Sequence, residues 1–367
     1  MPRANLRSLA IAVPETVRTN DFWKTHHPEL LATREQRALG RVFSVERAGT
    51  LTIFEQEMLP YLDDPFRGTV ERRVLRPDEP ASAIELPSAR AALAAAGLVA
   101  ADVDLLISCA FPSDQPGIGN AAYLARALGL GGAAFNVESA CSSALVGLDV
   151  ASALLVAGRY ARVLVVTSCV YSRVTRPDDS LSFTIGDAAA AFVLERSTDD
   201  AGLLGFHNVH TAETCDALAY ALAVEEGRPV MRMRTFPAAR EALRDSAEKT
   251  VDECCRGAAR AAGVSLSDVA VFVCNSPTAW FASFFARKLG VPRERVVDTY
   301  PRYANVGPAL WPTALHLAAS EGRLRRGDLV MAYSVGSVAS AAAVVLRWGE
   351  VGLGPSALGP SPVGADQ

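Results

Sequence analysis

The chain has 367 residues, 50% of them apolar and 21% charged, a globular composition that excludes a disordered protein. Its formal net charge is −4 with both signs scattered, so no basic field draws in nucleic acid. The seven cysteines, Cys109, Cys141, Cys169, Cys215, Cys254, Cys255 and Cys274, include no CxxC pair; they read as reduced thiols without the usual zinc spacing. The opening residues lack the pattern of a secretory signal, and no apolar run is long enough to cross a bilayer. The expectation is a cytoplasmic protein with no metal, no cofactor of its own and no membrane association.

Residues 22–79 mix prolines, charges and aromatics without a clean period and read as an insertion or cap. A helical pattern over 81–96 leads through Gly97 and Asp102 into an apolar strand at 103–110, followed by a helix at 118–128. A strand ending at Ala140 gives way to Cys141 and a long Ala/Leu/Val helix over 142–157, then strands at 163–168 and 189–194. In the second half, His207 and His210 follow a strand, a helix spans 238–262 and a strand spans 269–274. Helices at 279–289 and 311–320 and strands at 329–334 and 341–346 complete the order; His316, mid-helix, reads as packed core. Short apolar runs without polar alternation are expected of strands covered on both faces, and their alternation with helices predicts an α/β protein.

The order repeats. Residues 93–111 (LAAAGLVAADVDLLISCAF) and 259–276 (ARAAGVSLSDVAVFVCNS) share one layout, each followed by a helix that closes on a small apolar turn. This self-similarity predicts a duplication with halves at 1–200 and 201–367.

Cys141 is the candidate nucleophile. It sits between small residues at the start of a buried helix, where unpaired N–H groups and the helix dipole favour a thiolate. A buried inert cysteine fits the same local pattern equally well.

The segment 135–150 (FNVESACSSALVGLDV) resembles the nucleophile motif of the ketoacyl synthase III family. Residues 8–21 (SLAIAVPETVRTND), 184–194 (TIGDAAAAFVL), 285–290 (FARKLG), Asn305 within 301–308 (PRYANVGP) and Gly336 in YSVGSVASAAAV extend the resemblance over nearly the whole chain. It implies a thiolase fold of duplicated βαβαβ halves in five αβαβα layers, usually a homodimer, that carries acyl groups on Cys141. It also implies an oxyanion site made by backbone amides at Cys141 and the Gly336 loop.

The chain departs from the family at three places. Asn275, in Cys274-Asn275-Ser276, stands where the family has a histidine, so the implied constellation is Cys141, Asn275 and Asn305. An amide donates a hydrogen bond but is no base near neutral pH; His207 or His210 is the candidate replacement base. Trp280 stands where the family has an arginine for coenzyme A phosphates. The adenine-stacking tryptophan has no counterpart near 63–67, although Arg67-Gly68-Thr69 matches the turn that follows it. Losing the arginine removes a phosphate clamp and shifts the expected donor from acyl coenzyme A toward a phosphopantetheine thioester on an acyl carrier protein.

The expected function is a condensing enzyme of specialised, polyketide- or fatty-acid-like metabolism, passing an acyl group from Cys141 to a carbon nucleophile. Transfer to a hydroxyl or amine, or a non-catalytic subunit of a heterodimeric condensing enzyme, are the alternatives.

Overall fold

The computed structural model describes residues 2–32, 44–45, 50–215, 217–236 and 239–355. Residues 33–43 and 46–49 of the expected cap, and 356–367 of the expected second half, lie outside the described residues.

The first half begins with β1 (Arg3–Ala12) and a small antiparallel pair, β2 (Val17–Thr19) and β3 (Glu71–Arg73). Between them lie α1 (Asn20–His26), α2 (Pro28–Ala32) and α3 (Ile53–Met58), the described part of the cap. Then come α4 (Ser82–Ala95), β4 (Leu105–Phe111), α5 (Ala121–Leu128), β5 (Ala133–Asn136), α6 (Ser143–Val156), β6 (Arg162–Val170) and β7 (Asp187–Ser197). The second half runs β8 (Gly202–His210), the hairpin β9 (Leu218–Glu225) and β10 (Arg228–Thr235), α7 (Ala239–Ala262), β11 (Val269–Cys274), α8 (Phe281–Leu289) and β12 (Val296–Val297). It closes with α9 (Tyr300–Tyr303), α10 (Leu310–Ser320), β13 (Leu329–Val335), β14 (Ser340–Arg347) and β15 (Gly352–Leu353).

The two main sheets repeat one topology. The first is ordered β15-β1-β7-β6-β4-β5 and the second β8-β14-β13-β11-β12. Setting β15 aside, the pairings agree strand for strand: antiparallel, antiparallel, parallel, parallel. The helices sort into layers: α4 and α5 cover the first sheet, α7 and α8 the second, and α6 and α10 lie between the sheets. That is the five-layer αβαβα thiolase arrangement of two duplicated halves.

Burial explains the legibility of the strands. Every residue of β6 after Arg162 is buried, because helices cover both faces. Between the sheets, Phe192 of β7 and Trp311 of α10 stack at 5.3 Å and 19°, locking the halves together. The equivalent helices α5 and α8 both end at a left-handed glycine, Gly129 at φ 72° and Gly290 at φ 69°, a conformation a Cβ would oppose.

Local side chains shift some boundaries. The strand expected from residue 103 begins at Leu105, because the Asp104 carboxylate instead accepts from the Ala161 and Arg162 amides at 2.7 and 2.8 Å. The helix expected from 118 begins at Ala121, where Asn136 Oδ1 accepts from the Ala121 amide at 3.0 Å and Asn136 Nδ2 donates to the Ile118 carbonyl.

Candidate active site

The two inner helices begin at one place. The turn Ala140–Ser142 leads into α6 and the turn Gly307–Ala309 leads into α10, and the two turns pack together. Duplication therefore brings two helix N-termini, and the residues just before them, to the centre of the molecule.

The nucleophile turn is built from small hydroxyl residues. Ser143 Oγ accepts from the Ser139 amide at 2.7 Å and donates to the Ala140 carbonyl at 2.6 Å. Ser142 Oγ donates to the Ser139 carbonyl at 2.7 Å. Ala140, just before Cys141, is held at φ 50°; Ala304, just before Asn305, at φ 56°; and Val338, two residues after Gly336, at φ 61°. Left-handed non-glycine residues cost about 1–3 kcal/mol each and persist where the surroundings over-determine them. These three sit beside residues that the family resemblance had singled out; the others among the described residues are Arg67 and, in the β9–β10 turn, Glu226.

Cys141 opens onto a cavity of about 150 Å³ together with Asn305. Phe54, Phe111, Leu218, Met233 and Phe281 are among its apolar walls, and Tyr171, Tyr220 and Thr278 among its polar groups. No lysine, arginine or histidine lines it among the described residues. Tyr220 Oη and Thr278 Oγ1 are buried there without a hydrogen-bond partner.

Asn275, just after β11, is fully buried and lies near enough to the Cys141 thiol to favour its ionised form. Its Nδ2 also reaches Ser334 Oγ at 3.4 Å, and its Oδ1 has no partner. Asn305 Oδ1 accepts from the Gly307 amide at 2.9 Å, which leaves its Nδ2 for the cavity. Cys141, Asn275 and Asn305 thus come together from both halves.

Two other site expectations need correction. The Gly336 amide donates to the Ser340 carbonyl at 2.7 Å, so it is not an open oxyanion donor. Gly336 matters for space instead: a Cβ there would lie 2.4 Å from the Ser139 carbonyl oxygen. Neither His207 nor His210 lines the Cys141 cavity. The His207 ring lies against Gly257 of α7, filling the space a Cβ would need, and His210 is exposed with Nδ1 accepting from the Ala212 amide at 3.3 Å. Strand alternation on β8 puts the two side chains on opposite faces of the sheet, His207 on the α7 side and His210 on the side of Asn208, which donates to Asp149 of α6. His316 is core, its Nε2 3.0 Å from the Gly354 carbonyl. Trp280 is buried against Phe54 and Tyr61, out of reach of a phosphate.

Sequence reasoning missed Tyr171. It follows β6, is buried, and places Oη 3.0 Å from Cys141 Sγ. Its turn is clamped by Asp187, whose carboxylate accepts from the Ser172 amide at 3.0 Å, Ser172 Oγ at 2.5 Å and the Leu75 amide at 2.8 Å. Thirty residues separate Tyr171 from Cys141, and only the topology joins them; no local signal marks the tyrosine.

Burial pushes the Cys141 thiol up, against the pull of hydrogen bonds from Tyr171, Asn275 and its own backbone N–H. The depressed thiol expected from the helix start is not what this buried position gives. Burial also pushes the Tyr171 phenol well up, reinforced by Cys141 and Cys169, so it stays protonated and able to donate.

Residues 135–213 match 3-oxoacyl-(acyl-carrier-protein) synthase III, and residues 259–348 match the C-terminal part of the same family. Beta-ketoacyl-(acyl-carrier-protein) synthase III of Roseiflexus castenholzii is 32% identical, over 77% of this chain and 87% of that protein. The enzyme of the same name from Bordetella petrii is 34% identical, over 68% of this chain and 76% of that protein. Among solved structures, 3-oxoacyl-(acyl carrier protein) synthase III of Pseudomonas aeruginosa superposes with a TM-score of 0.75 at 25% identity, covering 95% of this chain and 98% of that one. OleA of Xanthomonas campestris shares the fold, with a TM-score of 0.75 at 21% identity over 94% of this chain and 97% of that one. With these matches and a cysteine at the head of an inner helix facing a largely apolar cavity, the chain belongs to the 3-oxoacyl-(acyl-carrier-protein) synthase III family of acyl-transferring condensing enzymes.

Proposed function

We propose that this chain takes an acyl group from a thioester onto Cys141 and condenses it with a carbon nucleophile, as a homodimeric enzyme of specialised metabolism. The observation that carries the reading is Cys141 opening, beside Asn305 and near Asn275, into a cavity walled by apolar side chains. In the first step Cys141 Sγ bonds to the acyl carbonyl carbon. The bond from that carbon to the donor sulfur breaks, and the donor leaves as a thiol with the proton that Cys141 gave up. In the second step the nucleophilic carbon bonds to the acyl carbon and Cys141 Sγ departs. The sulfur regains the proton released by the nucleophilic carbon; where that carbon instead loses carbon dioxide, the sulfur departs as a thiolate and takes its proton from water.

Neutral donors serve both steps. The Cys141 amide and the amide of Ser337, a cavity residue beside Gly336, are the oxyanion donors in this reading. Asn275 and Asn305 provide amide donors but no base, which suits a nucleophile that is already acidic, such as a β-ketoacyl α-carbon. A cavity of about 150 Å³ matches a compact apolar acyl group, since an apolar space of roughly that size holds a benzene-sized guest. Buried Trp280 at the phosphate-clamp position favours a carrier-protein thioester over free coenzyme A.

The test is product analysis. Purified protein is given a carrier-bound acyl thioester and a β-ketoacyl thioester, and the new bond is identified by isotope-resolved NMR. A C–C bond joining the two units is expected. A C–O or C–N product, or none with any thioester, contradicts the reading.

A further inference from the structure

We infer that Tyr171 is the hydrogen-bond donor that holds the Cys141 thiolate, filling in this chain the place of a cationic partner. The inference rests on Cys141 being the acyl-bearing sulfur.

A nucleophilic cysteine is ordinarily helped by a neighbouring cation, a histidine, lysine or arginine that makes the thiolate cheaper. The groups facing Cys141 here are different. Tyr171 and Cys169 come from the end of β6, Tyr220 from β9, Asn275 from the end of β11 and Asn305 from the loop before α10. The charged groups bearing on this set are acidic: Glu138 acts on Tyr220 and Asp187 on Cys169. Both disfavour a further negative charge. Neutral donors remain, and of these Tyr171 approaches the sulfur to 3.0 Å, well inside the range for a hydrogen bond to sulfur.

The position is constructed. The Tyr171 ring packs edge-on against Phe111, with centroids 5.9 Å apart. The next residue, Ser172, is fastened to buried Asp187 through both its amide and its hydroxyl. The turn that carries the phenol is thereby held in place, and its proton is directed at the sulfur once the thiol ionises. When Cys141 becomes an acyl thioester its sulfur is a weak acceptor, and the donor is released. The bond thus favours the reacting thiolate over both the acylated state and the resting thiol.

Alkylation of Cys141 by iodoacetamide tests this without requiring acyl transfer. The full-length protein is alkylated across a pH series and the Cys141 peptide is quantified by mass spectrometry, which separates it from exposed Cys215. Tyr171→Phe keeps the ring against Phe111 and removes only the hydroxyl. A hydrogen bond to a charged group of ordinary strength predicts an inflection raised by about one to two pH units in the variant. A ring-fluorinated tyrosine at 171, a stronger donor of almost the same shape, lowers the inflection and serves as the second probe if the phenylalanine variant does not fold. An inflection unmoved in either protein, whatever happens to the plateau rate, overturns the assignment and leaves Tyr171 a packing residue. Failure of every thioester to acylate the wild type would remove the proposed function while leaving this titration readable.

Discussion

Ser334 Oγ donates a 2.6 Å hydrogen bond to the backbone carbonyl of Cys141, tying the central strand of the second half to the nucleophile turn of the first. Asn275 Nδ2 reaches the same hydroxyl at 3.4 Å, so one serine on β13 links the cysteine to the asparagine that stands at the family's histidine position. Ser334→Ala leaves that carbonyl without its partner, which typically costs about 1–3 kcal/mol. The urea midpoint falls at unchanged slope, and acylation of Cys141 slows as the turn loosens. An unchanged midpoint with unchanged acylation contradicts the link.

Gly336 tests the spatial reading of its loop. A Cβ would lie 2.4 Å from the Ser139 carbonyl oxygen and 3.1 Å from Ser142 Oγ, so Gly336→Ala must push the nucleophile turn or the loop aside. Displacements of that size lower rates by on the order of 10². Acylation falls accordingly, while iodoacetamide still reaches Cys141. Acylation at the wild-type rate means that the turn does not depend on this contact.

Asn275→His is expected to speed decarboxylation of malonyl thioesters while leaving self-acylation within a few-fold of wild type. The two half-reactions ask for different things. Acylation needs a thiolate and an oxyanion site, whereas decarboxylation needs strong donors to a developing enolate, each worth about 10²–10³ in rate. Measuring carbon dioxide release and intact mass separately tells them apart. Wild type that already matches the variant in decarboxylation contradicts this role of Asn275.

Much of the architecture was readable because burial on both faces writes itself into composition. The run at 269–274 is β11 residue for residue, and 163–168 lies inside β6, where the buried hydroxyls of Thr167 and Ser168 donate to the Cys109 carbonyl and to Glu85. The hairpin β9–β10 was not readable. Its base packs at the cavity through Tyr220 and Met233, while Leu222 and Val224, on the same face as Tyr220 but nearer the tip, are exposed, so burial changes along the strand and leaves no clean alternation. At the site, Cys141 carries its signal locally in the small residues around it. Tyr171 acquires its meaning only when β6 is laid beside the start of α6. The Gly336 loop was recognised, but which amide is open depends on the 2.7 Å bond to Ser340, which no pattern encodes.

Glu85 gives the fold a pH dependence of its own. Its carboxylate is buried on α4, accepting from Asn120 Nδ2 at 3.0 and 3.1 Å and from Ser168 Oγ at 2.6 Å. Burial raises it to about 7, against the pull of those donors. From the ordinary carboxylate range up to about pH 7, the folded chain keeps a proton that the unfolded chain has released, so stability falls as pH rises through that window. The full span is roughly 3 kcal/mol. Glu85→Gln flattens this fall, gaining on wild type at neutral pH relative to acid. A variant whose stability has the wild-type slope contradicts the assignment.

The central claim is that Cys141 carries the acyl group, and peptide-mapped mass spectrometry after incubation with an acyl thioester tests it most directly. The account predicts a mass increase equal to the acyl group on the peptide containing Cys141, absent from Cys141→Ala. Undiminished labelling of Cys141→Ala, or a label mapped to exposed Cys215, would contradict it.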